Sequence, residues 1–291
     1  MYDFLLHVLV MTGIYAMIAL ALNIQSGWTG MLNFGHIAFV GIGAYTVGIA
    51  NLWQWPLMLC LLGGLAFATV LALLMANLGK QLAADYWGIA TLAIAEIVRM
   101  VMLNEDNLTG GAQGISNLAI KGLNTSADHF IFIVAIALGA TILLCRRIYV
   151  SRFGRSLRLL REEPKLAMCL GYNIQSLKSQ SLVISGLIST FAGMLLALYT
   201  NYVSPDYLLS SETFVIWSMV LIGGIGRISG VLLGALVMEL LYNFIPFAKD
   251  IFTISSDMSG ALRLGLVGFI LLLSLMKKSD GLLPEKLRVL R

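Results

Sequence analysis

The chain has 291 residues, of which 59% are hydrophobic and only 12% charged, with a net charge of +4 and a mean hydropathy of +0.88. An ordinary soluble domain is roughly a quarter charged, so this composition excludes a soluble enzyme or binding module and leaves no room for a separate soluble domain. Where the charges lie says more than their sum: they cluster in two segments, a pattern of membrane topology, and no nucleic-acid partner is expected.

A helix needs about 20 apolar residues to cross a hydrocarbon core of about 30 Å. Nine candidate spans meet or approach that length: residues 4–24, 31–52, 57–78, 86–103, 130–150, 182–202, 214–225, 228–245 and 262–276. The seventh is too short to cross comfortably and reads as broken or re-entrant. The expected fold is therefore all-α, a polytopic transmembrane bundle of about 8–10 spans in one membrane domain over residues 1–291. No Lys or Arg precedes the first span, and the second comes soon after it, so the first is read as retained. Cys60, Cys145 and Cys169 are far apart and odd in number, which argues against a disulfide framework or a metal site.

In chain order, the second span and its approach carry Gly27, Gly30, Gly35, Gly41, Gly43 and Gly48 together with Asn33 and His36. A second glycine group, Gly223, Gly224, Gly226, Gly230 and Gly234, lies near the end. Two readings apply to both groups: small residues that let membrane helices approach closely, or discontinuous helices in corresponding halves of a pseudo-repeat that line a transport path. The stretch "GGIGRISG" lacks the Lys-Ser/Thr and the strand–turn–helix setting of a P-loop, so nucleotide binding there is excluded. A lone histidine such as His36 reads first as hydrogen-bonded to a neighbouring helix and second as a polar group on the path. Glu96 and Arg99 share a helical face in the fourth span. They are read either as a structural ion pair or as a polar patch that meets a passing zwitterion. Glu239 and Arg263, in or near the last two spans, are read as pairing either with each other or with a partner subunit.

Of the 19 Lys and Arg residues, eight lie between Arg146 and Lys178 and five between Lys277 and Arg291. By the positive-inside rule both segments are cytoplasmic, and the four spans between them satisfy that requirement. Loop 104–129, with Glu105 and Asp106, then falls outside, together with the N-terminus.

Within the first basic segment, "SRFGRSLRLLREEPKLAMCLGYN" changes character at its middle. The arginines of its first half suit anionic lipid headgroups at a span exit. Its second half reads as a short self-delimited helix. Glu162 and Glu163 favour the positive end of its dipole, Pro164 fits the first position, Lys165 to Leu170 form about two turns, and Gly171 suits a left-handed stop. Leu166, Met168 and Leu170 cannot share one face, so the helix suits a protein groove better than a lipid surface.

The run Glu163-x3-Ala167-x3-Gly171 resembles the cytoplasmic coupling segment of ABC importer permeases. The stretches "LNIQSGWTGMLNFGHIAFVGIGAYT", "YWGIATLAIAEIVRMVMLNEDNLTGGAQGI", "SRFGRSLRLLREEPKLAMCLGYNI" and "NYVSPDYLLSSETFVIWSMVLIGGIGRISGVLLGALV" are similar, in order and spacing, to signature stretches of the branched-chain amino acid ABC transporter permease family. The likeness covers about residues 15–240 and is greater to the subunit type with the "SRFGR" loop than to its usual partner. It implies an inner-membrane importer subunit with a second permease, related or identical, two ATPases and a soluble binding protein outside, in contact with membrane lipid. The chain itself would bind no cofactor, and ATP would be used by the partners. It implies that the loop over 151–178 bears the coupling helix, with Glu162, Glu163, Pro164, Lys165, Ala167, Met168 and Gly171 as ATPase contacts. Asn33, His36, Glu96, Arg99, Gly223, Gly224 and Gly226 are candidates for the solute path. No catalytic or metal-binding residue is expected. The same machinery carrying urea, an amide or an aromatic acid is an alternative, and an ion-coupled secondary transporter is one of a different class.

Overall fold

The computed structural model describes residues 2–80, 82–118, 127–252, 256–277 and 281–283. Twelve α-helices account for nearly all the regular structure in these segments: α1 (Tyr2–Asn23), α2 (Ile37–Leu52), α3 (Leu57–Leu78), α4 (Ala84–Asn104), α5 (Asp106–Thr109), α6 (Ala127–Val150), α7 (Arg152–Glu162), α8 (Pro164–Cys169), α9 (Ile174–Thr200), α10 (Ser210–Gly223), α11 (Ile228–Phe252) and α12 (Ser256–Lys277). The all-α membrane bundle is thus observed, and each of the nine expected spans corresponds to a helix. Five helical stretches are long and apolar enough to cross a membrane by length and composition; the remaining four apolar helices are shorter. The side chain of Arg263, one of the two partners considered for Glu239, lies outside the described residues, as do Lys278, Lys286, Arg288 and Arg291. Glu239 itself is buried and accepts a 2.8 Å hydrogen bond from Asn243 Nδ2.

The bundle has an inner and an outer layer. In α1 and α9, 67% and 72% of the apolar stretch is buried, whereas in α3, α4 and α6 the share is 28%, 22% and 17%. Helix α9 packs along α2, α3 and α1. The α2–α9 contact is close because both helices offer glycine: a Cβ on Gly43 would run into the Thr190 carbonyl, and one on Gly193 into the Val40 carbonyl. Lipid gives no hydrophobic drive for helices to associate, so such close backbone approach and its dispersion contacts carry the association.

Several boundaries differ from the sequence expectation, among them the starts of the second and sixth spans, the end of α11 and the start of α12. The second span begins at Ile37, not at residue 31, because α1 ends in a π-helical turn (Ile24–Trp28) and the chain then runs irregularly to His36. Gly30, at φ 71°, makes the exit from the turn. Non-helical backbone is tolerated at membrane depth only where protein or water satisfies it. Here the Phe34 amide donates to Thr91 Oγ1 at 3.1 Å, the Gly35 amide to Asn33 Oδ1 at 2.8 Å, and the Asn33 carbonyl accepts from Trp217 Nε1 at 3.0 Å. The sixth span begins eight residues early, at Ile174 instead of 182, because Asn173 caps it, accepting from the Ser176 amide at 3.1 Å.

The end of the bundle distant from α7 and α8 carries a small lid. A two-residue strand β1 (Ile115–Ser116) pairs antiparallel with β2 (Tyr202–Val203). Asn51 Nδ2 donates to the Asn117 carbonyl at 2.9 Å, and Tyr202 donates to the Gln113 carbonyl at 2.9 Å. The described part of loop 104–129 is therefore a folded cap, with Gly110, Gly111 and Gly114 all at positive φ.

Candidate functional site

Helix α7, whose charge alone suggests a basic linker, starts at a Ser151 cap whose Oγ accepts from the Gly154 amide at 3.1 Å. Its arginines turn back on the bundle instead of pointing only at lipid. Arg155 Nη1 donates to the Val150 carbonyl at 2.8 Å and Arg158 Nη1 to the Tyr149 carbonyl at 3.0 Å, which satisfies the last carbonyls of α6 where cations are favoured. The Arg158 guanidinium also lies 3.9 Å from the Tyr149 ring centre. Arg161, one turn further, donates from Nη1 to the Gly27 carbonyl in the π-helical turn. It also meets Glu162 at 3.2 Å.

That turn is a junction. Trp28 Nε1 donates to the Gly226 carbonyl at 3.0 Å, and the Gly226 amide donates to Asn23 Oδ1 at 2.8 Å. Gly224 and Gly226, at φ 114° and 88°, form the tight turn between α10 and α11, conformations that residues with a Cβ rarely adopt. The chain near its end returns to the same place, with the Leu282 and Leu283 amides donating to the Ile222 and Gly223 carbonyls at 2.8 and 3.1 Å. Gly223 packs its backbone on Gly230 of α11. Of the residues assigned to the path from sequence, Gly223, Gly224 and Gly226 thus sit together at this end, beside the elements that carry α7 and α8.

Helix α8 projects from that junction. Pro164 opens it, Glu163 precedes it at φ −140°, and Gly171 closes it at φ 82° with nothing within 4 Å of where a Cβ would stand. The Tyr172 amide donates to the Ala167 carbonyl and the Gly171 amide to that of Met168, at 3.1 and 2.9 Å. Glu162, Glu163, Pro164, Lys165 and Met168 are exposed and Ala167 is fully buried. Leu166, Met168 and Leu170 are 48%, 56% and 62% exposed. Beside α8 a cavity of ≈ 270 Å³ is lined by Arg161, Pro164 and Thr29–Leu32, with Gln175, Lys178 and Trp87 also on its walls.

Asn33 and His36 belong to a different group of side chains, inside the bundle. Asn33 Nδ2 donates to Gln25 Oε1 at 2.8 Å, Gln25 Nε2 lies 3.4 Å from His36 Nδ1 and donates to Ser185 Oγ, and His36 Nε2 lies 2.7 Å from Ser189 Oγ. All five residues are fully buried, so in this conformation neither Asn33 nor His36 meets open space. Gln25, Ser185 and Ser189 were not singled out from sequence; the available signal was the spacing of Ser181, Ser185 and Ser189, four apart in an apolar helix. Removing the hub, Gln25→Leu, leaves Asn33 Nδ2 without its partner at a cost of about 1–3 kcal/mol and takes one contact each from His36, which keeps Ser189, and Ser185, which keeps the Ser181 and Leu182 carbonyls. A lower thermal midpoint of the purified protein is the expected result; an unchanged midpoint would show that the network holds nothing.

Glu96 and Arg99 are brought together within α4: Arg99 Nε and Nη2 both reach Glu96 Oε1, at 2.9 and 2.5 Å. Their side chains are 42% and 18% exposed respectively, on the outer face of the bundle.

The sequence matches the family described as "Branched-chain amino acid transport system / permease component" over residues 4–275. It is 29% identical to the high-affinity branched-chain amino acid transport system permease protein LivM of Salmonella typhimurium, covering 94% of this chain and 68% of that protein. It is also 29% identical to the probable branched-chain amino acid transport permease protein LivM of Methanocaldococcus jannaschii, covering 98% and 94%. The permease protein LivH of Salmonella typhimurium is 25% identical, with 77% and 79% covered, so the chain is more similar to the M-type subunits. No solved structure matches.

Proposed function

Since this chain belongs to the branched-chain amino acid transport permease family, we propose that it forms, with a second permease, the membrane path of an ABC importer for branched-chain or other hydrophobic amino acids. Two separate ATPase subunits supply the energy and a soluble binding protein delivers the solute. The protein resides in the inner membrane, with α7, α8 and the C-terminus on the cytoplasmic side. The lid built from residues 105–118 and 201–209 is the external face, where the charges of Glu105, Asp106 and Asp206 set the orientation of the binding protein. The chain is a transport component, and hydrolysis belongs to its partners.

The observation that carries this reading is α8. A six-residue helix is too short to be stable alone, yet it is held out from the bundle by a capped α7 with Leu166, Met168 and Leu170 exposed. Apolar side chains on such a projection fit a protein groove, and that groove belongs to the ATPase. Of the path candidates, Glu96 and Arg99 are accessible from the bundle surface, whereas Gly223, Gly224 and Gly226 are buried in the turn at its cytoplasmic end. Asn33 and His36 serve the path by fixing the helices beside it.

The test is assembly. Met168→Lys with Leu170→Lys places two cations where apolar contacts are needed, and truncating such anchors costs about 2 kcal/mol or more. ATPase co-purification is expected to fall roughly tenfold or more while the second permease stays bound. Unchanged ATPase recovery and transport would sink the docking role of α8.

A further inference from the structure

The stretch "GGIGRISG", excluded as a nucleotide site, meets the last turns of α6 at a groove. Ile142, Arg146 and Tyr149, spaced four and three apart, share one face of α6. Opposite them, at the start of α11, stand Arg227, Ser229 and Leu232. The two sets enclose a cavity of ≈ 450 Å³. Beside it Leu143 of α6 and Leu233 of α11 are 63% and 43% exposed, as on a lipid-facing surface.

The groove is layered. Arg146 lies four residues before the end of α6 at Val150, and Arg227 stands just ahead of the first residue of α11, so both belong to the edge of the bundle that carries α7. At 1.5 Å per residue Arg146 is about 6 Å from the helix end, within reach of the headgroup level for an extended side chain. Ile142 is one turn deeper on α6, and Leu232 is one turn into α11. Cations at the rim with apolar side chains below them repeat the order of a phospholipid, phosphate first and acyl chain beneath.

Charge points the same way. Two arginines line the groove and no carboxylate does among the described residues. Arg146 is exposed and makes no hydrogen bond or ion pair among them. The Arg158 guanidinium, 3.9 Å from the Tyr149 ring centre, adds positive charge at the rim. Guanidinium groups match phosphate oxygens through their planar fork, and the Ser229 hydroxyl supplies another donor. Basic pockets between membrane helices on the cytoplasmic side take anionic headgroups. The ammonium of a zwitterionic lipid would find no carboxylate on this wall, so a headgroup without one is favoured.

We propose that the groove binds an anionic phospholipid of the adjoining leaflet, with Arg146, Arg227 and Ser229 on its phosphate and an acyl chain along Ile142 and Leu232. Because Arg227 ends the Gly224–Arg227 turn, the lipid braces that turn against α6. The bracing role rests on the proposed transport function; the binding does not.

The test titrates the full-length protein, delipidated in neutral detergent, with phosphatidylglycerol or phosphatidylcholine and counts bound lipid by native mass spectrometry. Phosphatidylglycerol should be retained in preference. Arg146→Gln and Arg227→Gln should each weaken it roughly fivefold, the factor that corresponds to about 1 kcal/mol per cation. Arg152→Gln, which removes an exposed arginine of α7 outside the groove, should leave it unchanged. If Arg227→Gln does not fold, Arg146→Gln, at an exposed helical position, decides. Equal retention of the two lipids would leave chain packing alone, and an equal loss with Arg152→Gln would mean a diffuse basic surface; either overturns the site. Displacement of the lipid by equimolar glycerol 3-phosphate would make it a site for a free phosphate and refute the lipid. Retention by the chain alone but not by the assembled complex would mean that a partner subunit fills the groove, which also overturns it. In proteoliposomes, transport should rise with the phosphatidylglycerol fraction for the parent and not for Arg146→Gln. Transport indifferent to that fraction while binding persists overturns the bracing role alone.

Discussion

Arg161→Ala is expected to leave the proposed ATPase partner bound and hydrolysing but to uncouple it from transport. The reason is the chain of contacts that runs from α8 into the bundle. Helices α7 and α8 meet end to end across Glu163, and the last turn of α7 reaches the π-helical turn through the Arg161 guanidinium on the Gly27 carbonyl. From there Trp28 and Asn23 both grip Gly226, and the Gly224–Arg227 turn carries displacement to α10 and α11. π-Helical turns are rare and recur at functional sites because their hydrogen bonding is easily rearranged. A push on α8 therefore arrives at a segment that can rearrange and that joins α1 to the irregular entry of α2. Coupling free energies between sites are typically 1–3 kcal/mol, so solute moved per ATP should drop roughly 5- to 150-fold in the alanine variant. Arg161→Lys keeps the charge but loses the planar fork and should recover only part of the coupling. The measurement is the ratio of transport to hydrolysis in proteoliposomes. A wild-type ratio would remove Arg161 from the linkage, and loss of the assembled complex would reassign it to folding.

The parts of this architecture that show in the sequence are those governed by local rules. Span length and hydropathy locate every membrane helix, and Pro164 and Gly171 delimit α8 because a missing amide hydrogen and a left-handed φ are properties of single residues. The pairing of Glu96 with Arg99 follows from helical spacing. What escaped detection depends on partners distant in the chain. Gly27 and Arg161 are 134 residues apart and Asn33 and Trp217 are 184 apart, so neither the π-helical junction nor the anchored entry to α2 has a local signature. Helix α7 was obscured by its charge. Its arginines read as headgroup contacts, while three of them bond to carbonyls of α6 and of the turn after α1. Glycine enrichment at the two ends was visible, but the sequence offered close packing and helix breakage as competing explanations. The structure contains both: Gly43 and Gly193 lie in close contacts, and Gly30, Gly224 and Gly226 at breaks.

That division yields the sharpest stability contrast in the molecule. A Cβ at position 193 would stand 2.8 Å from the Val40 carbonyl carbon and 2.9 Å from its Cα, and closer still to the oxygen. The obstacle is helix backbone, which cannot rotate aside as a side chain can. Gly43 meets the Thr190 backbone in the same way, so the two glycines interlock α2 and α9 from both sides. Gly193→Leu must push the helices apart along the contact that buries Phe39, Val40 and the Ser185–Ser189 side of α9, and with them the hydrogen bonds to His36 and from Thr190 to the Phe39 carbonyl. Overpacking alone costs about 1–3 kcal/mol, and each buried polar group orphaned adds about 1–3 kcal/mol. That sum is comparable to the whole stability of a domain, about 5–15 kcal/mol. The variant should therefore give no monodisperse protein on size-exclusion chromatography. Gly63→Ala and Gly139→Ala, where nothing lies within 4 Å of the new Cβ, should be neutral or stabilising by about 0.5–1 kcal/mol through helix propensity. If Gly193→Leu elutes and transports like the parent while the two alanine variants do not, the close α2–α9 contact is not what holds the bundle together.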